Sequence, residues 1–291
     1  MDLVAGSSPT SVFVVGTSHG SSPEDGRTRI LHWDGSEWTD LHFPMSNPRN
    51  VKQVYGAAAI DERLLLVGDD DDQRAMIIEW TGDRWHRHDP PPEAQARWFA
   101  DQPAFCRFQG VVAFAADDIW ICGCGMWPGF SGPLLFHWDG AGWRTVSPGL
   151  HQPRSVFTAI TGSSADDLYV TCQLASDLGP PLVLRGDAES WQVLDGLPPV
   201  TLPDVVRDAA GHLWVLQGSP NTSALARYDA DHETWLHLMV PMPPGAAGVH
   251  LSELTAVPNS TALIAVGRSD HPGGPDEPYT PHAVILQLNQ A

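Results

Sequence analysis

The chain has 291 residues, with 35 Asp and Glu against 16 Lys and Arg, a formal charge of −19. A surface of that sign repels phosphate backbones and anionic head groups, so nucleic acid and membrane are poor partners and small molecules or proteins remain. The 27 Gly and 26 Pro are too many turn formers for a helical protein, and 42% hydrophobic content with 12 Trp is too apolar for a disordered one.

In chain order, Met1 to Ser8 lacks the basic and apolar regions of a signal peptide, and no run is long enough to span a bilayer. A cytoplasmic location is the default expectation, or a secreted one if a leader has been removed. Lys52 is the one lysine among arginines, a bias expected of a GC-rich bacterial genome.

A repeating unit opens almost at once. Val4-Ala5-Gly6-Ser7-Ser8 is a small-residue strand and Val12-Phe13-Val14-Val15-Gly16 an apolar strand ending in Gly. Ile30-Leu31-His32-Trp33-Asp34-Gly35-Ser36-Glu37-Trp38 is a strand that enters a tight turn and leaves it at a Trp. Asp-Gly between hydrophobic runs signals a hairpin, because Gly takes the positive φ that the turn needs and the flanking aromatics pack across the pair. The second copy runs through Tyr55-Gly56-Ala57-Ala58-Ala59, Leu64 to Gly68, and a hairpin from Ile77 to Trp85. The third has Ile119 to Gly123 and a hairpin from Leu135 to Trp143. The fourth has Phe157-Thr158-Ala159-Ile160-Thr161, Leu168 to Cys172, and a looser hairpin ending in Trp191. The fifth has Leu213 to Gln217 and the hairpin Tyr228 to Trp235. The sixth has Leu263 to Gly267 and Val284 to Leu288, where the sequence stops short of a hairpin.

The apolar strands start 52, 55, 49, 45 and 50 residues apart. Repeats of that period, each too small to bury its own faces, predict one all-β domain, a six-bladed β-propeller of four-stranded antiparallel blades. The blades fall at 1–44, 51–89, 106–147, 154–195, 202–240 and 250–291. Small residues suit the innermost strand, where the blades converge. The last blade is expected to have three strands, with the ring closed by packing between blades.

The aromatic-Asp-Gly-x-x-Trp hairpin, with an apolar strand ending in Val-Gly, resembles a repeat type of many bacterial β-propellers. That resemblance covers most of the chain and implies fold alone, since propellers host lectins, hydrolases, isomerases and scaffolds.

In such a blade the strand 2–3 loops and the blade-to-blade loops gather on one face. The expected strand 2–3 loops are 17–28, 69–74, 124–133 and 268–281, and the expected blade-to-blade loops include 43–50, 88–105, 147–154 and 241–250. Long loops in a compact domain mark the functional face. Trp98 in one of these loops and Trp127 in another, beside Met126 and Phe130, suit a sugar ring or a partner side chain. The alternative is that they pack the loops down. Nearer the axis, Gln53, Arg107, Gln109, Arg154, Asp204, His250 and Glu253 enter the inner strands, with His151 nearby. Converged, they form a polar funnel for ligand contacts (Gln53, Arg107, Gln109, Arg154) or for acid–base work (His151, Asp204, His250, Glu253). A divalent metal ion, with His250 and Glu253 as ligands, is the one cofactor these groups suggest.

Other motifs carry less. Gly16-Thr17-Ser18-His19-Gly20 spells a nucleophile elbow, but Ser-Ser-Pro-Glu-Asp-Gly follows where the mechanism needs a helix. Asp69 to Asp72 lacks spaced calcium ligands and a closing Glu, and reads as a solvated acidic loop. His86 and His88 read as surface residues of an outer strand. Cys106, Cys122, Cys124 and Cys172 form no Cys-x-x-Cys pair and read as buried free thiols. The reading that follows is a monomeric binding module that holds a small ligand or a protein partner on its long-loop face. An enzyme centred in the funnel is the alternative. A lectin, which would need the same sugar site in each blade, ranks third.

Overall fold

In a computed structural model, residues 3–18, 27–43, 51–70, 74–94, 105–127, 129–149, 154–174, 179–187, 189–197, 201–218, 223–257, 260–272 and 279–288 are described. They form a six-bladed β-propeller. Blade 1 holds β1 (Leu3–Ser8), β2 (Ser11–Ser18), β3 (Arg27–Trp33) and β4 (Trp38–Asp40). Blade 2 holds β5 (Val51–Ile60), β6 (Arg63–Asp70), β7 (Ala75–Trp80) and β8 (Trp85–His88), and blade 3 holds β9 (Phe105–Ala115), β10 (Asp118–Trp127), β11 (Phe130–Trp138) and β12 (Trp143–Val146). Blade 4 holds β13 (Val156–Ser164), β14 (Asp167–Gln173), β15 (Leu182–Gly186) and β16 (Trp191–Leu194). Blade 5 holds β17 (Thr201–Arg207), β18 (Leu213–Gly218), β19 (Ser223–Asp229) and β20 (Thr234–Met239). Blade 6 has three strands, β21 (Gly248–Ala256), β22 (Leu263–Pro272) and β23 (Tyr279–Leu288). Each strand pairs antiparallel with the next, and the inner strands β1, β5, β9, β13, β17 and β21 pack side by side in a closed ring.

In blades 2 to 5 the second strand lies between two packed seams and is buried on both faces, whereas β2 of blade 1, beside the seam with blade 6, alternates. The double burial is why β6 reads as a continuous apolar run, where a one-sided strand would alternate. The hairpins behind it are fixed by their aspartates. Asp34 Oδ1 accepts from the Ser36 and Glu37 amides at 2.8 and 2.9 Å, and Asp139 and Asp187 repeat the arrangement in blades 3 and 4. Such an Asx turn sets up the Gly that follows; Gly35 sits at φ 96° and Gly140 at φ 85°. The aromatics then meet across the pair, with ring centroids 5.6 Å apart for Trp33 and Trp38 and 5.5 Å for Trp138 and Trp143.

Two expectations need correcting. The strand 2–3 loops are shorter than the sequence suggests, because paired backbone runs on wherever it can satisfy its own hydrogen bonds. β10 and β11 stay in register out to Trp127 opposite Phe130, and β22 and β23 out to Pro272 opposite Tyr279. Asp69 and Asp70 belong to β6, not to a solvated loop, and are only 4% and 8% exposed. Arginines make that burial tolerable. Arg107 Nε lies 2.9 Å from Asp69, and Arg87 Nη2 lies 2.6 Å from Asp70.

The core is divided among the seams between blades. Blades 1–2, 2–3, 3–4, 4–5 and 5–6 each share a cluster of buried apolar side chains, such as Trp120, Phe157, Leu168 and Leu184 between blades 3 and 4. Among the described residues the seam between blades 6 and 1 has no such cluster. It is instead a groove of about 340 Å³ lined by Val12, Trp33, Trp38 and Ile264. In other blades the Trp of strand 4 leans on the preceding blade, as Trp85 Nε1 donates to the Leu41 carbonyl at 3.3 Å and Trp235 Nε1 to Asp195 at 3.0 Å. Among the described residues blade 6 has no fourth strand to receive Trp38, which is 50% exposed.

Candidate functional site

The axial channel, about 550 Å³, is lined by all six inner strands. At corresponding points these strands bulge by one residue: Tyr55 in β5, Gln109 in β9, Thr158 in β13 and Ser252 in β21. A bulge takes a side chain out of the ladder's alternation; these four residues line the channel toward its long-loop end, and the Tyr55, Thr158 and Ser252 hydroxyls turn back to Asp69, Thr171 and Val266 of the second strands. Thr158 Oγ1 donates to the Leu202 carbonyl of the next blade at 2.8 Å, and Ser252 Oγ to Val266 of its own at 3.2 Å.

One residue deeper, the ring divides in two. Gly56, Gly110 and Ala159 hold this level in blades 2 to 4, where inner strands nearly touch. A Cβ on Gly56 would lie 3.0 Å from the Gly110 Cα, and one on Gly110 would lie 3.0 Å from the Ala159 Cα. The same level in blades 5 and 6 is held by Asp204 and Glu253. There the strands stand farther apart and the carboxylates bridge them. The Leu254 amide of blade 6 donates to Asp204 Oδ2 at 2.6 Å, and the Val4 amide of blade 1 donates to Glu253 Oε1 at 3.3 Å. Val4 and Leu254 occupy the same position of successive blades, so one strut is used twice, across the two seams nearest the chain ends.

Asp204 also accepts from the Val205 amide at 2.7 Å. Desolvation pushes its carboxyl up to about 7, against the pull of those two amides. An acid whose folded value is raised stabilises the fold fully below its unfolded value near 4 and loses that contribution as pH rises through about 7. The hairpin aspartates run the other way. Amide donors hold Asp34 down at about 2, so its contribution is present above pH 4 and lost only in strong acid. Unfolding midpoints in urea should therefore fall between pH 5 and pH 8, and Asp204→Asn should flatten that slope. An unchanged slope in the variant would mean that Asp204 ionises as freely in the folded protein as in the unfolded chain.

Beside the mouth lies a second polar cluster. Asp69 Oδ2 accepts from Arg107 Nε at 2.9 Å and from the Tyr55 hydroxyl at 3.4 Å, and the Arg107 guanidinium sits 5.3 Å from the Tyr55 ring centroid. Burial raises the Asp69 carboxyl and Arg107 opposes that rise. Among the described residues Asp69 Oδ1 is buried with no hydrogen-bond partner. A cavity of about 180 Å³, lined by Asp69, Phe105, Cys106 and Arg107, adjoins it.

The residues singled out in the sequence are dispersed around this geometry. Asp204, Glu253 and Gln109 line the channel, and Arg107 belongs to the Asp69 cluster. His250 turns to the end of β22, its Nε2 3.1 Å from Asp270 Oδ2, while Glu253 reaches for blade 1. Among the described residues no three His, Cys, Asp or Glu side chains are grouped to hold a metal ion. Arg154 is exposed, at φ 60°, with its amide donating to the Ser131 carbonyl at 3.3 Å. Phe130 packs on the core between blades 2 and 3, the loop-packing alternative. Gln53 lies in β5 opposite Asp69 and Trp127 in β10 opposite Phe130, their side chains outside the described residues. Trp98 and His151 lie wholly outside the described residues. All four cysteines are free and buried. Burial pushes the Cys124 thiol up to about 11 and Cys172 to about 12, so these two stay protonated at neutral pH.

Asp69, Tyr55, Thr158 and Ser252 are the functional candidates that sequence reasoning missed. Tyr55 and Thr158 carried a signal, since each falls immediately before the small residue of its inner strand, whereas Ser252 precedes Glu253. Asp69 carried none, because its partner Arg107 comes from another blade.

No family model and no curated protein matches the chain. Solved structures do. YCF48 bound to a D1 peptide is 12% identical at a TM-score of 0.51, over 92% of this chain and 75% of that one. A gluconolactonase from Xanthomonas campestris is 15% identical at 0.53, over 98% and 86%. The SapL1 lectin in complex with α-methyl fucoside is 16% identical at 0.51, over 84% and 81%. At such identities the likeness is one of fold, and it places this chain among the β-propellers, a fold that serves binding proteins and enzymes alike.

Proposed function

We propose that the protein is a binding module that holds a small ligand or a protein partner at the long-loop mouth of its channel. One observation carries this reading. The carboxylates and the histidine placed best for chemistry are already engaged: Asp204 and Glu253 as struts between blades and His250 on Asp270. The mouth offers a preformed rim of Tyr55, Gln109, Thr158 and Ser252, three of whose hydroxyls are fixed by Asp69, Leu202 and Val266, with a polar pocket at its side. A rigid concave site with a few convergent polar groups is what small-molecule and peptide binding requires. The peptide and the fucoside bound to two of the similar propellers are consistent with either class of ligand.

The test is to titrate peptide and glycan libraries into isotope-labelled protein and map the shifted resonances. Shifts should gather at Tyr55, Gln109, Thr158, Ser252 and Arg107. For any ligand found, Trp98→Ala and Trp127→Ala should each weaken binding about tenfold, the cost of losing an aromatic anchor, and leave melting unchanged. Shifts confined to the opposite mouth, around Ala59, Ala113 and Arg207, would overturn the reading, as would unchanged affinity in both variants.

A funnel enzyme is the second reading, and the raised carboxyl of Asp204 favours it, since a group poised near neutrality suits general acid–base work. It requires Asp204 to release the Leu254 amide when substrate binds. Turnover of a library compound that is abolished in Asp204→Asn would establish it.

A further inference from the structure

From the cluster beside the mouth we infer that the cavity at Asp69 is a recognition pocket for an uncharged polar group that carries a hydrogen-bond donor next to an acceptor, such as a primary carboxamide or a pair of vicinal hydroxyls. The inference rests on the binding reading and names the chemistry of its ligand. Asp69 is 4% exposed, yet among the described residues its Oδ1 has no partner, and a buried carboxylate oxygen left without a donor is costly. Oδ1 therefore asks for an N–H or O–H from whatever enters the adjoining space, which at about 180 Å³ admits a small polar head.

The charges say which donor fits. The chain as a whole is strongly acidic, which by itself would suggest a cation. The cluster is balanced, however. Arg107 is paired with Asp69 through Nε, and Asp70 is matched by Arg87. An ammonium group at Oδ1 would sit beside the guanidinium that already neutralises the same carboxylate, and would shed its water to do so. A neutral donor satisfies Oδ1 without adding charge. Arg107 meets Asp69 through Nε and its side chain is 41% exposed, which leaves its terminal nitrogens as donors for the acceptor half of the ligand. Phe105 and Cys106 supply the apolar part of the lining.

The experiment uses the full chain and three probes of similar size: acetamide, ethane-1,2-diol and methylammonium. Each is titrated while the amide resonances of Asp69, Cys106 and Arg107 are followed, and each is soaked into crystals. Acetamide or the diol should bind with its donor on Oδ1, at least tenfold more tightly than methylammonium. Asp69→Ala should abolish that binding. Arg107→Gln should reverse the preference toward methylammonium, because Asp69 is then an unbalanced charge. That variant guards against a trivial loss through misfolding, since it predicts a gain. Methylammonium binding as well as acetamide in the wild type, or a water on Oδ1 that no probe displaces, would overturn the inference. If the probes leave the pocket empty while library ligands still perturb Tyr55 and Thr158, the ligand chemistry is wrong and the binding reading stands. If no library ligand perturbs the mouth, the binding reading falls independently of the probes.

Discussion

Replacing Trp120 by Ala should cost about 3 to 5 kcal/mol, the range for deleting a fully buried aromatic. Trp120 is completely buried between blades 3 and 4. Its indole donates to Asp118 at 3.0 Å and stacks on His137 with centroids 4.2 Å apart, while His137 Nε2 meets the same Asp118 oxygen at 2.8 Å. The substitution thus opens a cavity in one seam and unties the polar contacts at its edge. Trp38→Ala is the comparison. It removes the same side chain from the half-open seam between blades 6 and 1, and should cost under about 1 kcal/mol. Urea unfolding followed by far-ultraviolet circular dichroism would read both. Equal losses would mean that the closing seam is packed as tightly as the others, contrary to the groove observed beside Trp38.

Gly110→Val is expected to be the next most damaging change, at about 3 kcal/mol, the upper end for overpacking. A Cβ there would stand 3.0 Å from the Ala159 Cα, 3.0 Å from Cys122 Sγ and 3.1 Å from the Ile160 nitrogen. Two of the three are backbone atoms of the next inner strand, which can yield only by widening the ring. Gly142→Val, where an added Cβ meets nothing within 4 Å, should be nearly neutral in the same assay. A similarly small loss at Gly110 would show that the inner strands slide apart easily, and the division of the ring into a tight half and a bridged half would lose its basis. That division matters for function because it sets the shape of the mouth. Blades 2 to 4 close in on glycine and alanine, and blades 5 and 6 are held off by Asp204 and Glu253.

Much of the architecture could be read from the chain because it is dictated locally. In blades 2 to 5 the second strand is buried on both faces and must be largely apolar, so Leu64 to Gly68 and its counterparts announce themselves. Asp34, Asp139 and Asp187 must supply a carboxylate to the turn, and Trp38, Trp143 and Trp191 must pack across it, so the hairpins carry a fixed spelling. Interactions between blades have no such spelling. Asp69 and Arg107 are 38 residues apart, and nothing near either one marks the partnership, so Asp69 and Asp70 look like the start of an acidic loop. Asp204 and Glu253 could be recognised as inner-strand acids. That they serve as struts follows from the spacing of the strands and not from the acids themselves.

By itself, then, the sequence determined what each repeat must do to fold: the number of blades, the order of strands, the turns and the buried second strands. These depend on contacts within about fifty residues, where periodicity and turn chemistry leave a readable pattern. The tertiary structure alone decided which side chains meet across the seams, and so where the polar mouth lies, which acids are bound up in closing the ring, and why one carboxylate oxygen of Asp69 is left without a donor among the described residues. Those outcomes depend on how far apart six inner strands come to rest, a property of the closed ring as a whole.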